Sequence, residues 1–161
     1  MTLKNKTILI TGSTRGIGKA IAIACLDNNA NVIIHGSKKE TGETVVSDLK
    51  KNYSSKIIGI EANLSTNENC QNLIKKAIDT CEKIDVLVNN AGITRDNLIL
   101  RMKEEEWTDV INTNLSAAFF LIKAISRHFL KNKSGKIINI SSVIGLTGNP
   151  GQSNYAASKA G

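Results

Sequence analysis

Tyr155 and Lys159 stand four residues apart in the stretch Ser153-Asn154-Tyr155-Ala156-Ala157-Ser158-Lys159. On a helix this spacing puts both side chains on one face, with their Cβ atoms about 5–6 Å apart. An ammonium held that close favours phenolate over phenol, so the tyrosine becomes a candidate general acid/base near neutral pH. Many solvated helix faces carry the same pair, so its meaning rests on what the rest of the chain places around it. Gly12, Gly16 and Gly18 form a second group with possible chemistry, in the run Thr11-Gly12-Ser13-Thr14-Arg15-Gly16-Ile17-Gly18. Glycines between a buried strand and a helix permit a tight turn and let a pyrophosphate approach the backbone at the positive helix N-terminus. Their spacing differs from the common Gly-x-Gly-x-x-Gly, but the mechanics are the same.

A site selective for NAD usually carries Asp or Glu about 20 residues further on, at the end of the second strand. Here that place reads His35-Gly36-Ser37-Lys38-Lys39. The acid is absent, and Ser37, Lys38 and Arg15 can meet a 2′-phosphate, which argues for NADP(H). His35 itself reads as a packed strand-end residue and not as a ligand.

The elements that would position these groups follow from apolar periodicity. Lys6 to Thr11 is a near-continuous apolar run, as a strand buried on both faces of a parallel sheet requires. After the glycine turn a helix is expected with Ile17, Ala20, Ile21, Ala24 and Cys25 on one face, ended by Asn28-Asn29. Asn31 to His35 completes a strand–helix–strand unit. A surface helix over 38–52, a strand over 56–60, a helix over 67–81 with Cys70, Leu73, Ile74, Ala77 and Ile78 inward, and a strand over 85–89 follow. Beyond the break at Asn90-Ala91-Gly92, a helical region over about 103–130 is expected in two pieces around Asn112 to Asn114. A fifth strand over 136–141, a Gly/Pro/Asn/Ser-rich loop over 143–153 and a last helix from Asn154 complete the chain. Alternating strands and helices predict an α/β fold: a Rossmann-like, doubly wound parallel sheet in three α/β/α layers. Residues 1–161 then make a single NAD(P)-binding domain. Around 115–130 two apolar stripes appear, Leu115, Ala118, Phe119 and Ile122 beside Ala117, Phe120, Leu121 and Ala124. A sheet needs one stripe, so the second predicts a partner subunit.

Composition agrees with a globular protein, at 41% hydrophobic and 22% charged residues. The apolar runs are far shorter than the ~20 residues of a membrane span. The first six residues leave no room for a signal peptide ahead of the first strand. Cys25, Cys70 and Cys81 have no metal-ligand spacing and suit reduced, buried thiols in a cytoplasmic protein, with no metal site expected. The net charge of +7 can steer acidic partners. Aromatic residues are only 4% of the chain, too few to interleave the lysines as single-strand binding would want, which leaves nucleic acid a weak reading.

Taken together, TGSTRGIG (Thr11 to Gly18), NNAG (Asn89 to Gly92), the Asn of NTNLSAAF (Asn114), the Ser of NISSV (Ser142) and YAASK (Tyr155 to Lys159) resemble the short-chain dehydrogenase/reductase family. Within it, AGITRDNLILRMKEEEWTDVINTNL (Ala91 to Leu115) and GNPGQSNYAASKAG (Gly148 to Gly161) look like bacterial 3-oxoacyl-[acyl-carrier-protein] reductases of fatty acid biosynthesis. The resemblance implies that Tyr155 protonates a substrate ketone while NADPH delivers hydride to the carbon. It implies that Lys159 tunes Tyr155 and bonds the nicotinamide ribose, and that Ser142 bonds the ketone oxygen. Asn114, favoured over Asn112, would hold a water that relays protons from Lys159. Implied cofactor contacts are Gly12, Ser13, Thr14, Arg15, Gly16, Ile17, Gly18, Ser37, Asn63, Leu64, Asn90, Ala91 and Gly92, with Tyr155 and Lys159. Many relatives carry Asp where Asn63 stands, and an amide can still bond adenine. Lys133 and Lys136 fall where such reductases present a basic patch to the acidic acyl carrier protein. A homotetramer is implied. Trp107 reads as a packed aromatic, 103–106 as an exposed helix start, and His128 as a surface residue.

The sequence ends shortly after Lys159, where members of that family continue with further strands, a substrate-binding segment and oligomer contacts. The fifth strand is therefore expected as an exposed edge, and the chain as part of a longer protein. Two alternatives remain: another short-chain reductase, acting on acetoacetyl-CoA or a small sugar, and an inactive, truncated dinucleotide-binding module.

Overall fold

A computed structural model describes residues 3–161. Strands β1 (Thr7–Ile10), β2 (Asn31–Gly36), β3 (Ile57–Glu61), β4 (Val86–Asn89) and β5 (Lys136–Asn139) form one parallel sheet in the order β3-β2-β1-β4-β5. Chain order reverses between β1 and β4, which opens a crevice at their carboxyl ends; ligands of such sheets bind there. Helices α1 (Gly16–Asp27) and α2 (Lys39–Lys50) cover one face, and α3 (Asn67–Cys81) covers the other with α5 (Ala117–Lys131). Side chains alternate across the strands. Ile8, Ile10, Val32 and Ile34 pack with Ala22, Leu26, Val45 and Leu49, while Leu9, Ile33 and Leu87 pack with Leu73, Ile74, Leu121 and Ile125.

Most elements lie where the periodicity puts them, and α3 has the expected limits. Its Thr66 hydroxyl accepts the Asn69 N–H at 3.3 Å, a cap that fixes the start. The helical region over 104–131 is continuous: α4 (Glu104–Ile111) runs through one π turn (Asn112–Ser116) into α5. Inside the glycine-rich loop a short helix α6 (Ile144–Thr147) forms before α7 (Ser153–Ala160).

Other expectations are corrected. The buried face of α1 is centred on Gly18, Ala22 and Leu26; of the expected stripe, Ile21 and Cys25 pack partly against the core, while Ile17, Ala20 and Ala24 are exposed, Ile17 at 64%. A Cβ on Gly18 would run into the Gly12 carbonyl and the Asn90 amide. That close approach sets the rotation of α1, because only a glycine fits there. Trp107 is exposed and not packed away. His128 is half-buried: its Nε2 accepts the Ile84 N–H at 3.1 Å, satisfying a backbone donor just before β4. Of the three thiols only Cys70 is fully buried.

On α5 the stripe through Ala117, Leu121 and Ile125 faces the sheet, while Phe119 on the second stripe is 60% exposed. β5 forms an edge, with Ile137 and Ile138 both open. No helix among the described residues is long and apolar enough to cross a membrane.

Candidate active site at the carboxyl edge of the sheet

Two clefts meet over the crevice. One, of about 760 Å³, is lined by Gly12, Thr14, Arg15, Gly16, Ile17, Gly18, Ser37, Asn63, Leu64, Asn90, Ala91 and Gly92. The other, of about 530 Å³, is lined by Ser141, Ser142, Tyr155 and Lys159. Arg15, Ile17, Asn90, Gly92, Ile93 and Arg95 line both, so the glycine turn and the Tyr-Lys pair face one continuous trough.

The turn is held open by specific contacts. Gly12 has φ +63°, and a Cβ there would come 2.9 Å from the Ala91 Cα. Thr11, fully buried, fastens β1 to β4. Its Oγ1 donates to the Val88 carbonyl at 3.3 Å and accepts the N–H groups of Asn90 and Ala91, both at 3.0 Å. The Asn90 side chain donates to the carbonyls of Thr11 and Gly12 at 2.9 and 3.1 Å. No side chain caps α1, so the unpartnered N–H groups of its first turn are available at the cleft. Of the expected cofactor contacts, Ser13 does not reach the trough. It is fully buried, and its hydroxyl donates to the Ile10 carbonyl at 2.7 Å while accepting the His35 N–H. Asn63 is exposed and closes its own turn by accepting the Ser65 N–H at 3.0 Å.

The catalytic candidates come from three elements. α7 presents Tyr155 and Lys159, with the Lys159 Nζ 5.9 Å from the tyrosine ring centroid, within cation–π range. The ammonium donates to the Ile140 carbonyl at 2.8 Å. Burial lowers the Lys159 pKa from its ordinary value. Ser142 follows β5, and its Oγ accepts the Ile144 N–H at 3.2 Å. The π turn carries Asn114, which is buried: its Nδ2 donates to the Ile93 carbonyl and to the Ser158 hydroxyl, and its Oδ1 accepts the Ile93 N–H at 2.8 Å. Asn114 Oδ1 and Lys159 Nζ converge on Gly92, where a Cβ would lie 3.2 and 3.7 Å from them. π turns of this kind are frequent at functional sites. Neither Asn112 nor Asn114 lines the trough itself; Asn114 stands behind Gly92, bonded to Ser158.

One residue of this site is missed by the sequence reading. Asn154, with no exposed surface, donates through Nδ2 to the carbonyls of Arg95 and Glu106 at 2.8 and 3.0 Å. Its Oδ1 accepts the Tyr155 N–H at 2.7 Å. It thus fixes the start of α7 against α4 and the loop after β4. The only available signal was its place beside Tyr155. Lys133 and Lys136 are both exposed but stand at the start of β5, whereas the trough lies at the strands' carboxyl ends. The structure does not bring them to the trough.

This is a Rossmann-like α/β domain whose switch-point crevice combines an anion-ready glycine turn with a phenol, an amine and a hydroxyl. The chain belongs to the short chain dehydrogenase family, a model of which matches residues 6–161. It is 45% identical over 159 residues to a 3-oxoacyl-[acyl-carrier-protein] reductase of Staphylococcus epidermidis, covering 98% of this chain and 64% of that protein. It is 47% identical over 160 residues to one of Synechocystis, covering 99% and 64%. A third, from Chlamydia muridarum, is 45% identical over 159 residues, with the same coverage of 99% and 64%. The chain thus spans a little less than two thirds of the length of these relatives.

Proposed function

We propose that this chain carries the nucleotide-binding and proton-donating part of an NADPH-dependent reductase that converts 3-oxoacyl-[acyl-carrier-protein] to the 3-hydroxyacyl form. The carrying observation is the single trough shared by the glycine turn and by Ser142, Tyr155 and Lys159. The relatives named as reductases of that substrate supply its chemical class. Residues 1–161 act as one nucleotide-binding unit in this reading.

The residues present fit a phosphorylated dinucleotide. The positive-φ Gly12 and the uncapped start of α1 suit a pyrophosphate, and the loop after β3 offers Asn63 and Leu64 to an adenine. Arg15 and Ser37 line the same cleft with no carboxylate at the end of β2, which favours a 2′-phosphate over a free 2′-hydroxyl. When bound, the nicotinamide supplies a hydride to the ketone carbon. Tyr155 donates its phenolic proton to the ketone oxygen, and the Ser142 hydroxyl holds that oxygen in place. Lys159, freed from the Ile140 carbonyl, holds the ribose side and helps return a proton to Tyr155 from solvent. Asn114 braces Ile93 and Ser158 around Gly92, which keeps Lys159 and Tyr155 on one wall. The net charge of +7 favours an acidic carrier, while Lys133 and Lys136 lie at the far end of β5 from the trough. The open Phe119 stripe of α5 is the contact for further copies in a tetramer.

The test is NADPH oxidation on acetoacetyl groups linked to acyl carrier protein or to coenzyme A. Carrier-linked substrate should be preferred. Tyr155→Phe should lower turnover by about 10²–10⁴-fold, the usual worth of a general acid, with NADPH affinity unchanged. No oxidation on either substrate, with NADPH bound, would overturn the reading.

A further inference from the structure

We propose that His35 is a positioning residue that ties together the loops forming the nucleotide end of the trough. The inference deepens the dinucleotide reading above and rests on it. His35 is the penultimate residue of β2, is 3% exposed, and is used by neither the proton transfer nor any expected cofactor contact.

Its ring joins segments far apart in sequence. The Gly12 N–H donates to Nδ1 at 3.0 Å, across 23 residues. A backbone N–H can only donate, so Nδ1 must present its lone pair and the proton must sit on Nε2. Nε2 then donates to the Ala62 carbonyl at 3.0 Å, across 27 residues. The backbone of His35 adds two more ties to the turn: the Ser13 N–H donates to its carbonyl at 2.9 Å, and its own N–H donates to the Ser13 Oγ at 2.9 Å. The Ala62 N–H returns to the Gly36 carbonyl at 3.1 Å.

These contacts put the glycine turn, the end of β2 and the loop after β3 around one imidazole. Each carries a wall of the cleft: Gly12 and Thr14 to Gly18 from the first, Ser37 from the second, Asn63 and Leu64 from the third. Gly12 has φ +63° and an N–H that no helix or strand partner satisfies. The imidazole supplies that partner. Without it the donor would be buried and unsatisfied or would turn the peptide, moving the pyrophosphate contacts relative to Ser37 and Asn63. An imidazole serves here because it offers an acceptor and a donor on opposite sides of a rigid ring. A glutamine amide offers both functions on a flexible stem, and leucine offers neither.

The experiment compares the protein with its His35→Leu and His35→Gln variants, measuring dissociation constants by calorimetry at a temperature where all are folded. The probes are NADPH and adenosine 2′,5′-bisphosphate, the second reaching only the loops tied by His35. His35→Leu should weaken both probes by about tenfold or more, and His35→Gln should recover most of the loss. A variant that merely lost stability would keep both affinities below its melting point. Equal affinity in His35→Leu and the unaltered protein overturns the inference. If His35→Leu does not fold, nitrogen NMR on the unaltered protein decides the matter. The ring must show a protonated Nε2 and a bare Nδ1 coupled to the Gly12 amide, and the opposite tautomer overturns the inference. Failure of the unaltered protein to bind either probe would instead overturn the dinucleotide reading itself.

Discussion

Acid should weaken this fold through His35, and the size of the effect can be worked from its burial. Desolvation pushes the imidazole down to about 4, against the raising influence of its bond to Ala62; the ordinary value is 6.5. Between those values the unfolded chain holds the proton and the folded chain does not, so stability falls as pH drops. The contribution is complete above about pH 6.5 and is progressively lost toward about pH 4. With about 1.4 kcal/mol per unit, the loss between about pH 7.5 and 4.5 is roughly 2–3 kcal/mol. Protonation would also place a cationic N–H against the Gly12 N–H, donor facing donor, so the structure explains why the charged ring is rejected. The charged side chains along the same cleft are Arg15, Arg95 and Asp109, and they are present in any variant used for comparison. Urea unfolding of the protein and of His35→Gln at both pH values isolates the imidazole. The unaltered protein should lose about 2–3 kcal/mol more than the variant over that interval. Parallel losses in the two proteins would refute the reasoning, because the ring would then titrate alike in the folded and unfolded states.

Three further outcomes are expected. Ser37→Asp should shift cofactor preference toward NADH by setting a carboxylate against the 2′-phosphate; an unchanged ratio of NADPH to NADH affinity would count against the assignment. Thr11→Val keeps the shape but removes the acceptor shared by the Asn90 and Ala91 N–H groups, and should cost about 2–3 kcal/mol in chemical denaturation. Asn154→Leu leaves the Arg95 and Glu106 carbonyls unpaired and frees the start of α7, so turnover should fall while NADPH affinity holds. Loss of NADPH binding in that variant would show that Asn154 serves the nucleotide end instead.

What was legible in the sequence divides by the range of the interactions involved. The helix over 67–81 was readable to its ends because a local cap and a single apolar stripe set both its limits and its buried face. The helix after the glycine turn was readable as a helix but not in its rotation. Ile17 through Leu26 is apolar on nearly every side, so any stripe fits, and the contact of Gly18 with the Gly12 carbonyl decides among them. The π turn at 112–116 has no periodic mark, because one extra residue in a turn only shifts a stripe that was already broad. Trp107 shows the opposite case: hydrophobicity alone predicts burial, while its place on α4 leaves it 43% exposed.

The site itself shows the same division at closer range. The glycines, Tyr155 and Lys159 are visible because their chemistry depends on residue type at fixed spacing, whereas Ser142 and Asn114 enter only through the resemblance of the motifs around them. The bonding of Thr11, His35 and Asn154 carries no such mark, since a single buried polar side chain leaves no pattern along the chain. Their partners lie 77–80, 23–27 and 48–59 residues away. Each nevertheless satisfies donors or acceptors that would otherwise be buried alone, at a cost of about 1–3 kcal/mol apiece. Those three residues join β1 to β4, β1 to β2 and β3, and α7 to α4. The trough therefore holds its shape through buried hydrogen bonds one layer beneath the residues that face it, and substitutions there should alter binding or turnover without touching a ligand.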